Sequence, residues 1–378
     1  MQRVGIIGCG RIAQTRHIPE YADNNDVQIA GYFDLNTNRA NSLAEKYGGK
    51  VYASVDDMLA DPEIDAVSVC VVNTMHAEVS IKALNAGKHV LCEKPMATTL
   101  EDCIAMVEAA KKNNKYLMIG QNQRLAKAHI KAKKLLTQGV IGDVITFTTC
   151  FGHGGPEGWC IDRNGSPWFF DKNRASMGVL ADLGIHKIDL VQFLLHRNII
   201  ETTCKLVTLD KLDTDGNPIS VDDNAYCIFK MDNGIMGTLT ASWTYYGQEQ
   251  NSTVFYGTEG IMRIYEHPQY AITVIDRDGD HAYYDTDKIQ TNENQTKSGI
   301  IDAFIDALEN DHEPIISGES VLTAMRAVFA SIRSSQEDRT IKIPENELSD
   351  EEKAVFGKIH GNAVTIMGRN PGASENPL

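Results

Sequence analysis

The chain has 378 residues, 51 of them acidic and 36 basic, for a net charge of −15; 42% are hydrophobic and 23% charged. That balance excludes a disordered or collagen-like chain. Its acidity argues against partners recognised by phosphate neutralisation, so neither nucleic acid nor an anionic membrane surface is expected.

At roughly 100 to 200 residues per domain, the length suggests about two domains. In chain order, residues 3–8 read as a short buried strand, 11–22 as a helix, 27–33 as a strand and 36–47 as a helix ended by Gly48-Gly49. Residues 65–72 form another apolar run, followed by a helix over 75–86 stopped at Gly87. Strands over 89–92 and 116–120 enclose a helix opened by Thr98-x-x-Glu101, read as a capping box that satisfies free amide donors. Near-continuous apolar strands between amphipathic helices imply a parallel sheet covered on both faces. Residues 1–123 are therefore expected to form a doubly wound α/β domain.

The pattern changes after residue 123, and a second α+β domain is expected over 124–345. One helix spans 127–137, with Lys131, Lys133 and Lys134 on a solvated face, and the chain is strand-rich from 144. Asp232-Asn233-Gly234 joins 225–231 to 235–243, residues 257–260 join 252–256 to 261–265, and Asp278-Gly279 joins 271–277 to 281–284. Such turns favour hairpins, and successive hairpins predict an antiparallel meander, closed by helices over 299–309 and 319–334. Residues 346–378 read as a polar tail.

No run reaches the ~18 apolar residues of a membrane span. Met1-Gln2-Arg3 leads straight into the first strand without the regions of a signal peptide, so a cytoplasmic protein is expected. The eight cysteines contain no Cys-x-x-Cys; buried thiols are expected, with neither a disulfide framework nor a metal site.

Gly8-Cys9-Gly10-Arg11-Ile12-Ala13 follows the first strand and opens the first helix, the G-x-G-x-x-G/A form of a dinucleotide fingerprint. Gly8 permits the tight turn, Gly10 lets the backbone approach a pyrophosphate, and Ala13 allows close helix–strand packing; a plain βα turn is the alternative. Asp34 ends the second strand, where a carboxylate receives ribose hydroxyls and repels a 2′-phosphate, which predicts NAD over NADP. Arg39, one turn into the next helix, is the cation that bears on that choice. Asn73, His76, Glu93 and Lys94 follow two parallel strands at their carboxyl ends, where open α/β sheets bind ligands. Pro95 fixes the turn that aims Lys94.

Asp182, His186 and Asp189 are spaced to share one face of an apolar helix over 183–195. An Asp one turn before a His accepts its ring N–H and suits a general base; a capping Asp182 with a core His186 is the other reading. His153 lies between two glycines, in a loop over the site or on the surface. Trp168 heads a Trp-Phe-Phe run that stacks on a sugar or nicotinamide ring, or belongs to the core.

These pieces together resemble the glucose–fructose oxidoreductase/inositol dehydrogenase/MocA family of sugar and polyol dehydrogenases, over about residues 3–340. The specific motifs are Asn73-x-x-His76 followed by Ala86-Gly87-Lys88-His89-Val90-Leu91-Cys92-Glu93-Lys94-Pro95, and Asp182-Leu183-Gly184-Ile185-His186-x-x-Asp189. The resemblance implies a Rossmann domain followed by a domain with a large, mainly antiparallel open sheet used for homo-oligomer contacts, as a dimer or tetramer. It implies Lys94 beside the reacting hydroxyl, His186 as the group that takes its proton, Asp182 as the orienting carboxylate, and hydride passing to the nicotinamide. Gln123 stands where relatives often carry an Arg that reads the substrate, and Ser176-Met177-Gly178 replaces a glycine run. A neutral sugar, glycoside or inositol oxidised at a secondary hydroxyl, such as sugar C3, follows, with the loop over 152–168 as its cover. Two further readings stay open: an enzyme that retains its NAD for redox-neutral sugar chemistry, and a sugar- and NAD-sensing regulator, which would be expected to lack the base or the lysine.

Overall fold

The computed structural model describes residues 1–161, 167–286 and 297–343; the expected polar tail lies outside them. The first sheet is built from β1 (Gln2–Ile7), β2 (Val27–Phe33), β3 (Lys50–Val51), β4 (Ala66–Val69), β5 (His89–Cys92) and β6 (Leu117–Ile119). All pairs are parallel, in the order β3-β2-β1-β4-β5-β6. Helices α1 (Ile18–Asp23), α2 (Thr37–Tyr47), α3 (Val55–Ala60), α4 (His76–Asn85) and α5 (Leu100–Asn113) connect them. Because β1 lies between β2 and β4, the winding reverses there, and a crevice opens at the carboxyl ends where such sheets take ligands. The short β3 and α3 have too few residues to show a period in the sequence.

Two local differences from expectation have physical reasons. Thr99, extended at φ −135°, caps α5 by accepting from the Asp102 amide at 3.1 Å, one residue later than the expected Thr98 box. Hydroxyls at both 98 and 99 and acids at both 101 and 102 leave that register ambiguous. The helix after β1 widens into a π turn over Ala13–His17, which turns Arg16 and His17 inward, where both are buried. Such turns are frequent at functional sites.

The second sheet comprises β7 (Val144–Gly152), β8 (Ile199–Val207), β9 (Asn224–Met231), β10 (Met236–Ser242), β11 (Thr253–Gly257), β12 (Gly260–Ile264), β13 (Ile272–Asp276), β14 (His281–Tyr284) and β15 (Ile341–Lys342). The order is β14-β13-β12-β11-β7-β10-β9-β8-β15. The three expected hairpins form, but they do not make one meander: β7 inserts between β11 and β10 and runs parallel to β10. Packing explains the insertion. A Cβ at Gly237 would sit 2.3 Å from the ring of Phe147, so the bare backbone of β10 leaves the room that the β7 aromatic fills.

Helices α6 (Lys127–Thr137), α7 (Lys172–Ala175), α8 (Ile185–Leu195), α9 (Ile300–Glu309) and α10 (Gly318–Glu337) complete the chain. On α6, Lys131 and Lys133 are not simply solvated: their ammonium groups lie 5.0 Å and 3.5 Å from the ring centres of Tyr284 and Phe193. Helices α6, α8 and α10 pack on one face of the second sheet. The other face carries exposed Tyr226, Ile228 and Met236 on the neighbouring strands β9 and β10.

The helix α9, expected to close the second domain, lies on the first. Asn24 donates to Asp302 at 2.9 Å, and buried Glu20 accepts from both the amide and the hydroxyl of Ser298. Further along, the Ile119 amide donates to the Ile316 carbonyl at 3.0 Å, so residues 316–317 border β6.

Candidate active site

At the crevice, Gly8 has φ +88°, and a Cβ there would lie 2.5 Å from the Cys70 carbonyl oxygen; only glycine fits. A Cβ at Gly10 would meet nothing within 4 Å, so the backbone faces open space where a pyrophosphate approaches. Asp34 is held beside this turn. Its carboxylate accepts from the amides of Cys9 and Asn36, each at 2.7 Å, and Arg39 lies 3.5 Å away. Arg11 is exposed and Ile12 half-buried at the start of the helix. The open cradle at Gly10 and the anchored acid at Asp34 fit a dinucleotide.

Asn73 and His76 turn inward. The Asn73 amide donates to the Ala175 carbonyl at 3.1 Å, and the buried His76 ring sits 2.7 Å from the Pro95 carbonyl and 3.2 Å from that of Val71. Burial holds His76 below its ordinary range, and the neutral ring has one N–H to give; donated from Nδ1 along the shorter contact, to the Pro95 carbonyl, it ties the segment after β5 in place. Glu93 is also buried. It lies 2.9 Å from His17 Nε2 and 3.6 Å from Arg16, and accepts from the Lys94 amide at 3.1 Å. Burial alone would raise Glu93, but the His17 hydrogen bond and the Arg16 charge outweigh it and bring the carboxyl down to about 2. The π turn after β1 thus fixes the carboxylate that fixes the lysine.

The Lys94–Pro95 bond is cis. Lys94 Nζ donates to Asp182 Oδ1 at 2.6 Å and to the Asp182 carbonyl at 2.9 Å, joining the two domains. Asp182 lies in a second π turn, Leu180–Gly184, and its Oδ2 accepts from the indole of the fully buried Trp243 at 3.0 Å. Burial opposes the charge on Asp182, but Lys94 and then His153 and Trp243 hold it below the ordinary range. The expected pairing of Asp182 with the His186 ring is therefore absent, and neither is Asp182 a helix cap: both its oxygens are taken. Asp189 is drawn away altogether, in a two-point ion pair with Arg124 at 2.7 Å and 2.5 Å.

His186 is 7% exposed, and its Nδ1 is enclosed without a partner. Its ring packs 5.9 Å from that of Phe151. Burial first, then the Lys94 charge, hold it well below the ordinary histidine range, so it is a neutral base at pH 7. Leading into this region, Ser176 adopts φ +66° where relatives are expected to carry glycine. Next to it, the Asp222 carboxylate accepts from the amides of Gly178 and Leu180.

His153 joins the site. Its Nδ1 accepts from the Gly155 amide at 3.0 Å, and the charges of Asp182 and Lys94 both act on its ring. Trp168 stacks on Phe169 at 4.0 Å between ring centres, and Arg11 lies 5.5 Å from the ring centre of Trp159. The loop over 152–168 thereby reaches the glycine turn, although 162–166 lie outside the described residues. Gln123 is buried, with Nε2 3.5 Å from Asn251 Oδ1 and its own Oε1 unpartnered. The neighbouring Gln121 has both amide atoms buried and unpartnered.

Trp243 and the Arg16–His17–Glu93 cluster were not apparent in the sequence. Trp243 is 61 residues from Asp182, and only the strand end that presents it links the two. A separate cavity of about 790 Å³, lined by Lys111, Lys115, His196, Arg197 and Glu319 among others, contains none of Lys94, Asp182 and His186. Among the described residues no group of three or more His, Cys, Asp or Glu is placed to hold a metal, and no helix is long and apolar enough to cross a membrane.

Comparison with known proteins bears on both domains. Residues 2–121 match the family described as "Oxidoreductase family, NAD-binding Rossmann fold", and residues 129–263 match its "GFO/IDH/MocA C-terminal domain". A myo-inositol 2-dehydrogenase of Thermotoga maritima is 27% identical over 351 residues, covering 91% of this chain and 99% of its own. A D-glucoside 3-dehydrogenase of Escherichia coli is 35% identical over 195 residues, covering 51% of this chain and 54% of its own. Among solved structures, an aldose–aldose oxidoreductase from Caulobacter crescentus in complex with glycerol superposes with a TM-score of 0.76 at 26% identity, covering 90% of this chain and 99% of that one.

Proposed function

Since the chain belongs to the Gfo/Idh/MocA oxidoreductases, NAD-binding Rossmann enzymes that act on the CH–OH groups of sugars and polyols, we propose that it is an NAD-dependent dehydrogenase of a neutral sugar, glycoside or inositol, oxidising a secondary hydroxyl. The observation that carries this is the Lys94–Asp182 pair at 2.6 Å beside a neutral, unpartnered His186. When bound, the nicotinamide supplies the acceptor for the carbinol hydride. Everything else falls to the chain. Lys94 holds an ammonium where the hydroxyl oxygen gains negative charge, and Asp182, locked by Trp243, holds Lys94. With Nδ1 enclosed, Nε2 is the nitrogen of His186 that takes the hydroxyl proton. The carboxylate of Asp34 disfavours a 2′-phosphate, so NAD is preferred to NADP despite Arg39.

The test is a panel of neutral sugars, methyl glucosides and inositols, mixed with the protein and either NAD or NADP while the reduced-nicotinamide absorbance is followed. Continuous NADH formation with one substrate class, and a lower rate with NADP, is expected. A single turnover of cofactor that co-purifies with the protein, without response to added NAD, would replace this reading by the retained-cofactor one. Tight NAD binding with no turnover on any sugar would leave a sensor.

The open sheet face supports a homo-oligomer, because Tyr226, Ile228 and Met236 are 44%, 49% and 44% exposed on adjacent strands. Large apolar side chains grouped on one exposed sheet face are a feature of subunit contacts. Light scattering should give a multiple of the 41.7 kDa chain mass, reduced by Ile228→Lys; a monomer in the native protein would dismiss this role for the face.

A further inference from the structure

The residue after His186 has no part in the mechanism above and no hydrogen-bond partner in the fold. Lys187 is fully buried on α8, its Nζ is unpartnered, and the nearest ring centre, that of Phe151, is 6.0 Å away. Phe151 also packs on His186, so the amine lies just behind the proposed base.

Its surroundings repeat the pattern. His129, on α6, is fully buried with Nδ1 2.7 Å from the Gln123 carbonyl. Nδ1 must be the protonated nitrogen there, which leaves Nε2 a bare acceptor, and Nε2 too is enclosed and unpartnered. Burial, reinforced by the Lys187 charge, takes His129 down to about 3, so the ring stays neutral. Gln123, in the turn between β6 and α6, contributes the unpartnered Oε1. Helices α6 and α8 and this turn pack on one another. Buried polar atoms are ordinarily satisfied. Here one donor and two acceptors are left open together, beside the reacting residues.

We propose that Lys187, with His129 and Gln123, forms a hydroxyl-recognition subsite that reads the polyol substrate away from its reacting carbon. A hydroxyl donates one hydrogen bond and accepts two, so it can receive from Lys187 while giving its proton to His129 Nε2 or Gln123 Oε1. A carboxylate or phosphate dianion has no proton for either acceptor. The amine at 187 thus supplies, from another helix, hydrogen-bond donors near position 123, with selectivity for neutral groups. Burial keeps Lys187 near neutrality, at about 7, so it offers donors without a settled charge.

This inference rests on the dehydrogenase reading, and its test separates the two. Lys187→Met retains side-chain length and removes the donor. With the best substrate of the panel, KM should rise about 10- to 100-fold while kcat changes by less than about threefold. Among the mono-deoxy analogues of that substrate, the one lacking the recognised hydroxyl should show the same KM with both proteins. His129→Phe should give the same pattern, and NADH fluorescence titration reports that each variant keeps a folded cofactor site. An unchanged KM, or an equal rise on every analogue, overturns the subsite and leaves a compartment for structural water. A native protein that oxidises no member of the panel overturns the dehydrogenase reading and the subsite together.

Discussion

Lys94→Ala is expected to lower kcat/KM by about 10²- to 10⁴-fold, the range typical of a positioned proton-transfer apparatus, while NADH binding is retained. Lys94 has two functions in the proposed mechanism, and the substitution removes both. It places positive charge against the developing alkoxide, and it holds His186 below the ordinary histidine range. The second function gives the pH profile a sign. In the native enzyme the acid limb of kcat/KM should lie below pH 6.5, because His186 remains neutral there. Burial, the Lys94 charge and the Arg16 charge all depress His186; without Lys94 the larger of the two charges is gone, so its proton binds more readily and the limb moves to higher pH. A loss of rate with an unmoved limb would show that His186 is not the group that titrates. His186→Ala should abolish the limb itself.

Asp189→Ala is expected to cost about 3 to 5 kcal/mol of stability, as removal of one member of a buried ion pair does. Asp189 is 2% exposed and the Arg124 side chain 7%, and two nitrogens of the guanidinium grip the carboxylate. Arg124 also donates to the hydroxyl and carbonyl of Ser320 at the start of α10, so the pair ties together the turn after β6, α8 and α10. Taking away the acid strands a buried cation. Denaturant titration would measure the loss, and the double variant Arg124→Leu, Asp189→Leu should recover much of it. The folded fraction of Asp189→Ala should keep a near-native KM. A stable variant with a raised KM would instead place Asp189 at the substrate.

That contrast shows where sequence reasoning stops. Spacing alone put Asp182, His186 and Asp189 on one helical face, yet a π turn intervenes over Leu180–Gly184, and the two acids acquire partners from opposite directions. What was legible was local: the glycine turn with φ +88° at Gly8, the acid at the end of β2, and the strand ends that carry Lys94 and Asn73. Each depends on neighbours within a few residues. The indole on Asp182, the strand that separates two hairpins and the location of α9 depend on segments far apart in the chain, and no periodicity records them.

The return of the chain to its first domain limits how this protein can be recombined. Residues 298–317 carry the serine that caps the Glu20 carboxylate and the backbone that borders β6. A single splice near residue 123 would leave those surfaces bare on one fragment and orphan α9 on the other. Grafting a different cofactor domain onto this substrate domain therefore calls for two junctions, with the α9 segment travelling as part of the cofactor module. The two halves of the molecule are modules in space but not along the gene.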